Sequence, residues 1–195
     1  LRQQVGDRLE ILAGRLPQVL GHPRHWEFAD AALELAQPLD RLADTLPEAE
    51  LKAAVEAVEA YHSNYVGISL SLDGIAVENA SGDGAKFAAA VKTVRTASNR
   101  PLILLSGDAG ALSAALPLLA GEAPLIGPAT DGNWEALTGL AKQHKAALLV
   151  QAETLDALAD LTEKIKAAGL EDLVLQPVAS TLAGKLALNT QIRRL

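Results

Sequence analysis

The chain has 195 residues, 49% of them hydrophobic and 21% charged, which supplies a sizeable core and excludes an intrinsically disordered segment. Seventeen Lys and Arg against 24 Asp and Glu leave a net charge of -7, which excludes a general polyanion binder resting on cation–phosphate contacts. Cysteine is absent, so this chain holds no disulfide, thiolate zinc site, cysteine nucleophile or iron–sulfur cluster of its own.

Methionine is absent too and the chain opens at Leu1, as expected of a piece excised or processed from something longer. Arg2, Asp7, Arg8 and Glu10 interrupt any signal-peptide core, and no apolar run approaches the roughly 20 residues needed to cross a bilayer. A soluble, cytoplasmic protein with neither a membrane nor a nucleic acid as partner is expected.

Residues 1–27 read as a lead-in. His22 and His25 lie there three apart, but Pro23 disfavours a regular helix across them and no carboxylate cluster supports them, so no metal site is expected. Residues 31–36 fit a strand or a helix equally. An amphipathic helix is expected over 47–61, with Leu51, Val55 and Val58 on one stripe. The run 67–77 has strand composition, with Ile68, Leu70 and Leu72 on one face of a pleat. A helix follows over 85–97 (Phe87, Val91, Val94), then an unbroken apolar strand over 101–106. Further strands are expected over 124–127, 146–150 and 172–176, with helices over 133–142 and 154–168 between them and a helical ending over 186–195. Asp83, Thr130 with Asp131, and Glu153 with Thr154 stand where capping and the helix dipole favour small polar or acidic groups. Gly169 is placed to close the last of these helices before its strand.

From Leu72 the strand centres recur at Ile103, Ile126, Leu148 and Val174 without hairpin signals, the spacing of successive βα crossovers. Short continuous apolar runs suit parallel strands covered on both faces. A (β/α)₈ barrel and an open doubly wound sheet both fit. The second should carry Gly-x-Gly-x-x-Gly after its first strand, and the nearest match, Ser81-Gly-Asp-Gly84, lacks the third glycine. The even spacing therefore favours an α/β fold of the TIM-barrel type in one domain over 1–195. That fold typically takes about 250 residues, so the barrel is expected to be incomplete at its C-terminal end.

In a barrel, function gathers where strands end. Asp73, Glu78 and Asn79 stand at such positions, then Ser106 and Asp108, then Thr130, Asp131 and Asn133, and finally Gln151, Glu153 and Gln176. No His or Lys is among them, and a proton-transfer enzyme favours a base tuned near its working pH, so no catalytic residue is assigned. Caps and turns account for Asp108, Asp131 and Glu153. Asp73 interrupts an apolar strand, so it either pairs in the core or lines the open end of the barrel. His62 and His144 fall near helix ends and read as solvated. Neither a Gly-x-Ser-x-Gly elbow nor a P-loop is present.

The stretch Val66-Gly-Ile-Ser-Leu-Ser-Leu-Asp-Gly-Ile-Ala-Val-Glu-Asn-Ala-Ser-Gly-Asp83 is followed by Lys86-Phe-Ala-Ala-Ala-Val-Lys92, Arg100-Pro-Leu-Ile-Leu-Leu-Ser106, Ala129-Thr-Asp-Gly-Asn-Trp134 and Ala168-Gly-Leu-Glu-Asp-Leu-Val-Leu175. This co-linear series resembles the barrel domain of the large (gamma) subunit of the corrinoid iron–sulfur protein of the CO dehydrogenase/acetyl-CoA synthase system. Arg24-His25 with Phe28 is a fainter match, and the similarity runs from about residue 20 to the end. The resemblance implies a (β/α)₈ barrel flanked in the family by an iron–sulfur domain and a corrinoid domain, both lacking here. It implies a non-catalytic part in methyl transfer, docking a small subunit, a pterin methyltransferase and acetyl-CoA synthase around a corrinoid that this chain does not itself hold tightly. The chain departs from the family pattern at Gln176-Pro177, where an aspartate is expected before the proline, at Leu105, where a cysteine is often found, and near Ala146, where another cysteine is replaced.

Under that implication the candidate cofactor-facing residues are Asn79, Ser106, Thr130 and Asn133. A pterin-dependent methyltransferase barrel is the enzymatic alternative, with Asp73, Asn79 and Asp131 bonding the paired donors and acceptors of the ring. A structural remnant without a ligand is the third reading, in which the strand-end polar residues do no more than cap helices.

Overall fold

The computed structural model describes residues 41–65 and 68–193; the lead-in with His22 and His25, and the segment 31–36, lie outside them. The chain runs from β1 (Arg41–Ala43) through α1 (Glu48–Ala60) into β2 (His62–Tyr65) and β3 (Ile68–Ser71), then β4 (Ile75–Glu78) and α2 (Gly84–Ala97). It continues with β5 (Leu102–Leu105), α3 (Ala109–Ala115) and a 3₁₀ turn (Leu116–Leu119), β6 (Leu125–Ala129) and α4 (Trp134–His144). β7 (Ala147–Ala152), α5 (Leu155–Ala167), β8 (Leu173–Pro177) and α6 (Leu182–Arg193) complete it.

Six strands form one parallel sheet in the order β1-β4-β5-β6-β7-β8, so each strand pairs with the next one to enter the sheet. The order never reverses, which separates this winding from a doubly wound sheet and gives the arc of a (β/α) barrel. The pleat divides the apolar residues between two faces. Ile75, Val77, Leu102, Leu104, Ile126 and Leu148 belong to one large cluster with Val55, Phe87, Leu112, Leu137, Leu158 and Ile165 from the helices. Their neighbours Ala76, Ile103, Leu105 and Leu149 form a second cluster on the concave face, with Leu125 and Val174 packed against it. Burying a side chain such as Phe87 or Leu104 contributes about 1.5–3 kcal/mol, so the helix-covered face carries most of the stability.

One expectation is corrected in its detail. The run 67–77 is not a single strand: β3 pairs antiparallel with β2 as a separate two-stranded unit, and only β4 enters the main sheet. Leu72, Asp73 and Gly74 form the connection, and Asp73 is exposed there. The alternation of Ile68, Leu70 and Leu72 looks the same in either arrangement, but Asp73-Gly74 is a turn pair and breaks the run. The polar sequence of β2 hid the hairpin. β1 falls where no element is expected from the sequence; the other strands and helices fall within a few residues of their expected positions, and α3 fills the gap left between 106 and 124.

Helix starts follow the capping logic. The Asp83 carboxylate accepts from the N–H groups of Ala85 (2.8 Å) and Lys86 (3.3 Å) at α2. Asp108 does the same for Gly110 and Ala111 at α3, and Thr154 for Ala157 at α5. Gly169, at φ +87°, donates to the Lys166 carbonyl and ends α5 as expected.

Gly127 is the point where two strands pass too closely for a side chain. Its φ is +147°, and a Cβ there would lie 2.7 Å from the Leu149 carbonyl oxygen and 2.8 Å from the Leu149 Cβ. Gly127→Ala should therefore lower unfolding free energy by about 2 kcal/mol or more in urea titration, the usual scale of a backbone-limited overpacking. Gly132→Ala, where a Cβ meets nothing within 4 Å, should stay close to the parent.

At the amino-terminal end of the sheet, Glu59 of α1 accepts from the Ser98 hydroxyl and lies 3.0 Å from Arg100 Nε. Arg95 in turn donates to the Ser98 carbonyl and reaches Glu122 at 2.6 Å, so the ends of α1 and α2 are tied to the loop before β6. The Ser98 hydroxyl, and then Arg100, hold the Glu59 carboxyl below the usual glutamate range. Its stabilising effect is complete above the ordinary value of about 4.5 and is lost as pH falls through the lowered one. Thermal scans should find Glu59→Gln less stable than the parent at neutral pH, with the gap closing progressively below pH ~4.5.

Candidate functional site

All six carboxyl ends of the sheet reach one rim, a consequence of parallel pairing in sequence order. Period-two alternation continues there: with Leu149 and Val174 on the concave face, Gln151 and Gln176 follow on the same face, directly opposite one another in the register of β7 and β8. Glu78 follows Ala76 in the same way on β4. Together with Asn79, Ser106 and Lys185 of α6, these side chains line a cavity of about 420 Å³ at the mouth. Leu105, Pro128, Leu149 and Pro177 supply apolar wall.

The hydrogen bonds separate the residues that build the rim from those that face the cavity. Asp44, 7% exposed just past β1, accepts from the N–H groups of Ala80 (3.0 Å) and Ser81 (2.8 Å) and from the Ser81 hydroxyl (2.5 Å). It thereby fixes the loop after β4. Asn133 is the second fastener: its carbonyl oxygen accepts from Thr130 N–H (2.7 Å) and Thr130 Oγ1 (3.2 Å). Its amide donates to the carbonyls of Gly107 (2.9 Å) and Pro128 (3.2 Å), joining the loops after β5 and β6. Ser106 is buried, accepting from Asn79 Nδ2 and from Asp108 N–H, each at 3.1 Å.

Asn79 is held by that single side-chain bond, and its Oδ1 is buried without a partner among the described residues. Turning the amide over would exchange which atom is left over but would still leave one. A buried amide atom without a partner costs on the order of 1–3 kcal/mol. Gln151 and Gln176 are half-buried, and no side-chain hydrogen bond holds either amide within the described residues.

The six residues singled out from the sequence therefore divide. Asn79 and Ser106 meet at the mouth. Thr130 and Asn133 lie together on the rim but are spent on each other and on loop backbone, and Asn133, at the start of α4, makes no cap bond to its own helix. Asp131 points elsewhere: exposed, it pairs with Lys164 of α5 at 2.9 Å and raises that amine above its usual range. Asp73 is neither paired in the core nor at the mouth: exposed, it precedes β4 and so sits at the opposite end of the sheet from Asn79. Glu78, Gln151 and Gln176 were visible as strand ends but not as a group, because their common face depends on the register. Lys185 arrives from a helix beyond the last strand, and Asp44 follows a three-residue strand too short to show a pattern.

Comparison with known proteins gives the chain a family. Residues 35–195 match the family model described as CO dehydrogenase/acetyl-CoA synthase delta subunit. The chain is 39% identical over 155 residues to the corrinoid/iron-sulfur protein large subunit of Moorella thermoacetica, covering 80% of this chain and 35% of that protein. It is 37% identical over 139 residues to the acetyl-CoA decarbonylase/synthase complex subunit gamma of Archaeoglobus fulgidus, covering 71% of this chain and 29% of that one. The chain thus spans about a third of the length of these curated relatives. No helix among the described residues is long and apolar enough to cross a membrane.

Asp44→Ala strips the acceptor from three donors at once and should cost about 2–3 kcal/mol in chemical denaturation. Faster amide exchange should be confined to residues 79–83 if the fastening role is right.

Proposed function

The chain belongs to the CO dehydrogenase/acetyl-CoA synthase delta subunit family, and on that premise we propose that it is the barrel domain of a corrinoid-protein large subunit. In that role it docks partner proteins for methyl transfer and performs no chemistry of its own. Its partners would be the small subunit of the corrinoid protein, a pterin methyltransferase and acetyl-CoA synthase, in a cytoplasmic assembly. A corrinoid, when bound by the assembly, would supply the methyl-carrying chemistry, and Asn79 and Ser106 are the residues of this chain placed to face its edge.

The observation that carries the proposal is the composition of the rim on a barrel of this family. Amides and a hydroxyl line the mouth beside Glu78 and Lys185, and Asp44 and Asn133 lock the loops around it. The amides and the hydroxyl orient and shield a neighbour, and transfer between carriers depends chiefly on positioning and exclusion of water. The residues suit an edge of the corrinoid and not its whole ring: a 420 Å³ cavity takes a side arm or a small heterocycle. Iron–sulfur chemistry has no place on this chain, which contains no cysteine.

Native mass spectrometry of the 195-residue chain with a corrinoid-protein small subunit, with and without cobalamin, tests the docking role. A stoichiometric complex is expected. A folded chain that forms no complex in either condition would overturn it.

A further inference from the structure

Three primary amides converge on the mouth with hydrogen-bonding capacity unspent. Gln151 and Gln176 are register partners on adjacent strands and share the concave face. Asn79 reaches the same cavity from β4, with one buried amide atom lacking a partner among the described residues. Asn133, on the same rim, spends its amide on nearby backbone carbonyls. Among the described residues these three make no such bond, and they line a space large enough for a guest.

The chemistry of the guest follows from the donor set. A primary amide presents an N–H and a C=O side by side, and the complementary edge is another amide, open-chain or cyclic, which returns a C=O and an N–H. An anionic guest would call for several cations, yet among the described residues Lys185 is the one cation lining the cavity, and Glu78 lines it as well. The leucine and proline walls suit a flat apolar face. We propose that the mouth binds a neutral ligand through a carboxamide or lactam edge, with Gln151, Gln176 and Asn79 as the recognition groups. The site stands on its own geometry. Two sources carry that edge, the lactam ring of a pterin and the carboxamide arms around a corrinoid, and only the second rests on the function proposed above.

Calorimetric titration of the 195-residue chain distinguishes them, with 6-methylpterin as the lactam probe and dicyanocobinamide as the carboxamide probe. Cobyrinic acid, whose arms are carboxylates, is the control. At least one amide-bearing probe should bind, cobyrinic acid should bind at least tenfold more weakly than cobinamide if cobinamide is the ligand, and Gln176→Leu should weaken binding roughly tenfold. Gln151→Met, close in size and without the amide, gives a second variant should Gln176→Leu fail to fold by circular dichroism. Binding of the pterin alone assigns the lactam; binding of cobinamide assigns the arms. The proposal is overturned if neither probe binds the folded chain, or if folded glutamine variants bind as tightly as the parent. A chain that joins the small subunit yet binds neither probe refutes this site and leaves the docking role standing.

Discussion

Parallel pairing in sequence order is the constraint from which the rest of the molecule follows. Once each strand hydrogen-bonds to the one that enters the sheet before it, every crossover lies on the same face and every carboxyl end on the same rim. The pleat then assigns side chains without further choice. Leu104, Ile126 and Leu148 go to the helices, Ile103, Leu105 and Leu149 to the concave face, and at the next step along the strands Gln151 and Gln176 replace leucine and valine. A functional surface is thus obtained by changing the residue type at the end of an otherwise apolar alternation.

Building that surface requires the loops above it to hold still. Asp44 and Asn133 do so by spending their side-chain hydrogen bonds on loop backbone and on the hydroxyls of Ser81 and Thr130. Gly127 serves the same end by omission, letting β6 lie against Leu149 where any Cβ would collide with backbone. The ion pairs at the opposite end, around Glu59, Ser98 and Arg95, are far from this rim in the topology and tie α1 and α2 to the loop before β6.

Much of this was legible in the residues. The apolar runs at 101–106 and 146–150 and the caps Asp83, Asp108 and Thr154 announce strands and helix starts through local physics that tertiary structure did not override. The rule that function collects at strand ends brought Asn79 and Ser106 into view together, and they are hydrogen-bonded. What stayed hidden depended on partners distant in sequence. Asp73 looked like a strand interruption because Ile68, Leu70 and Leu72 alternate as well in a hairpin as in a central strand, and only pairing with β2 separates the two. Asp131 reads as a cap or turn residue, although its partner Lys164 lies 33 residues on, in α5, beyond the reach of any local pattern. The shared face of Gln151 and Gln176 is a fact of register.

The central claim is that the carboxyl-terminal rim is the working face of this domain. Hydrogen-exchange mass spectrometry of the chain, alone and mixed with the corrinoid-protein small subunit, tests it most directly. Protection is predicted in the rim segments 78–81, 106–110, 151–154 and 176–180, with the amino-terminal loop 98–101 unchanged. Protection confined to 98–101 and the β2–β3 hairpin, with the rim exchanging as before, would contradict it.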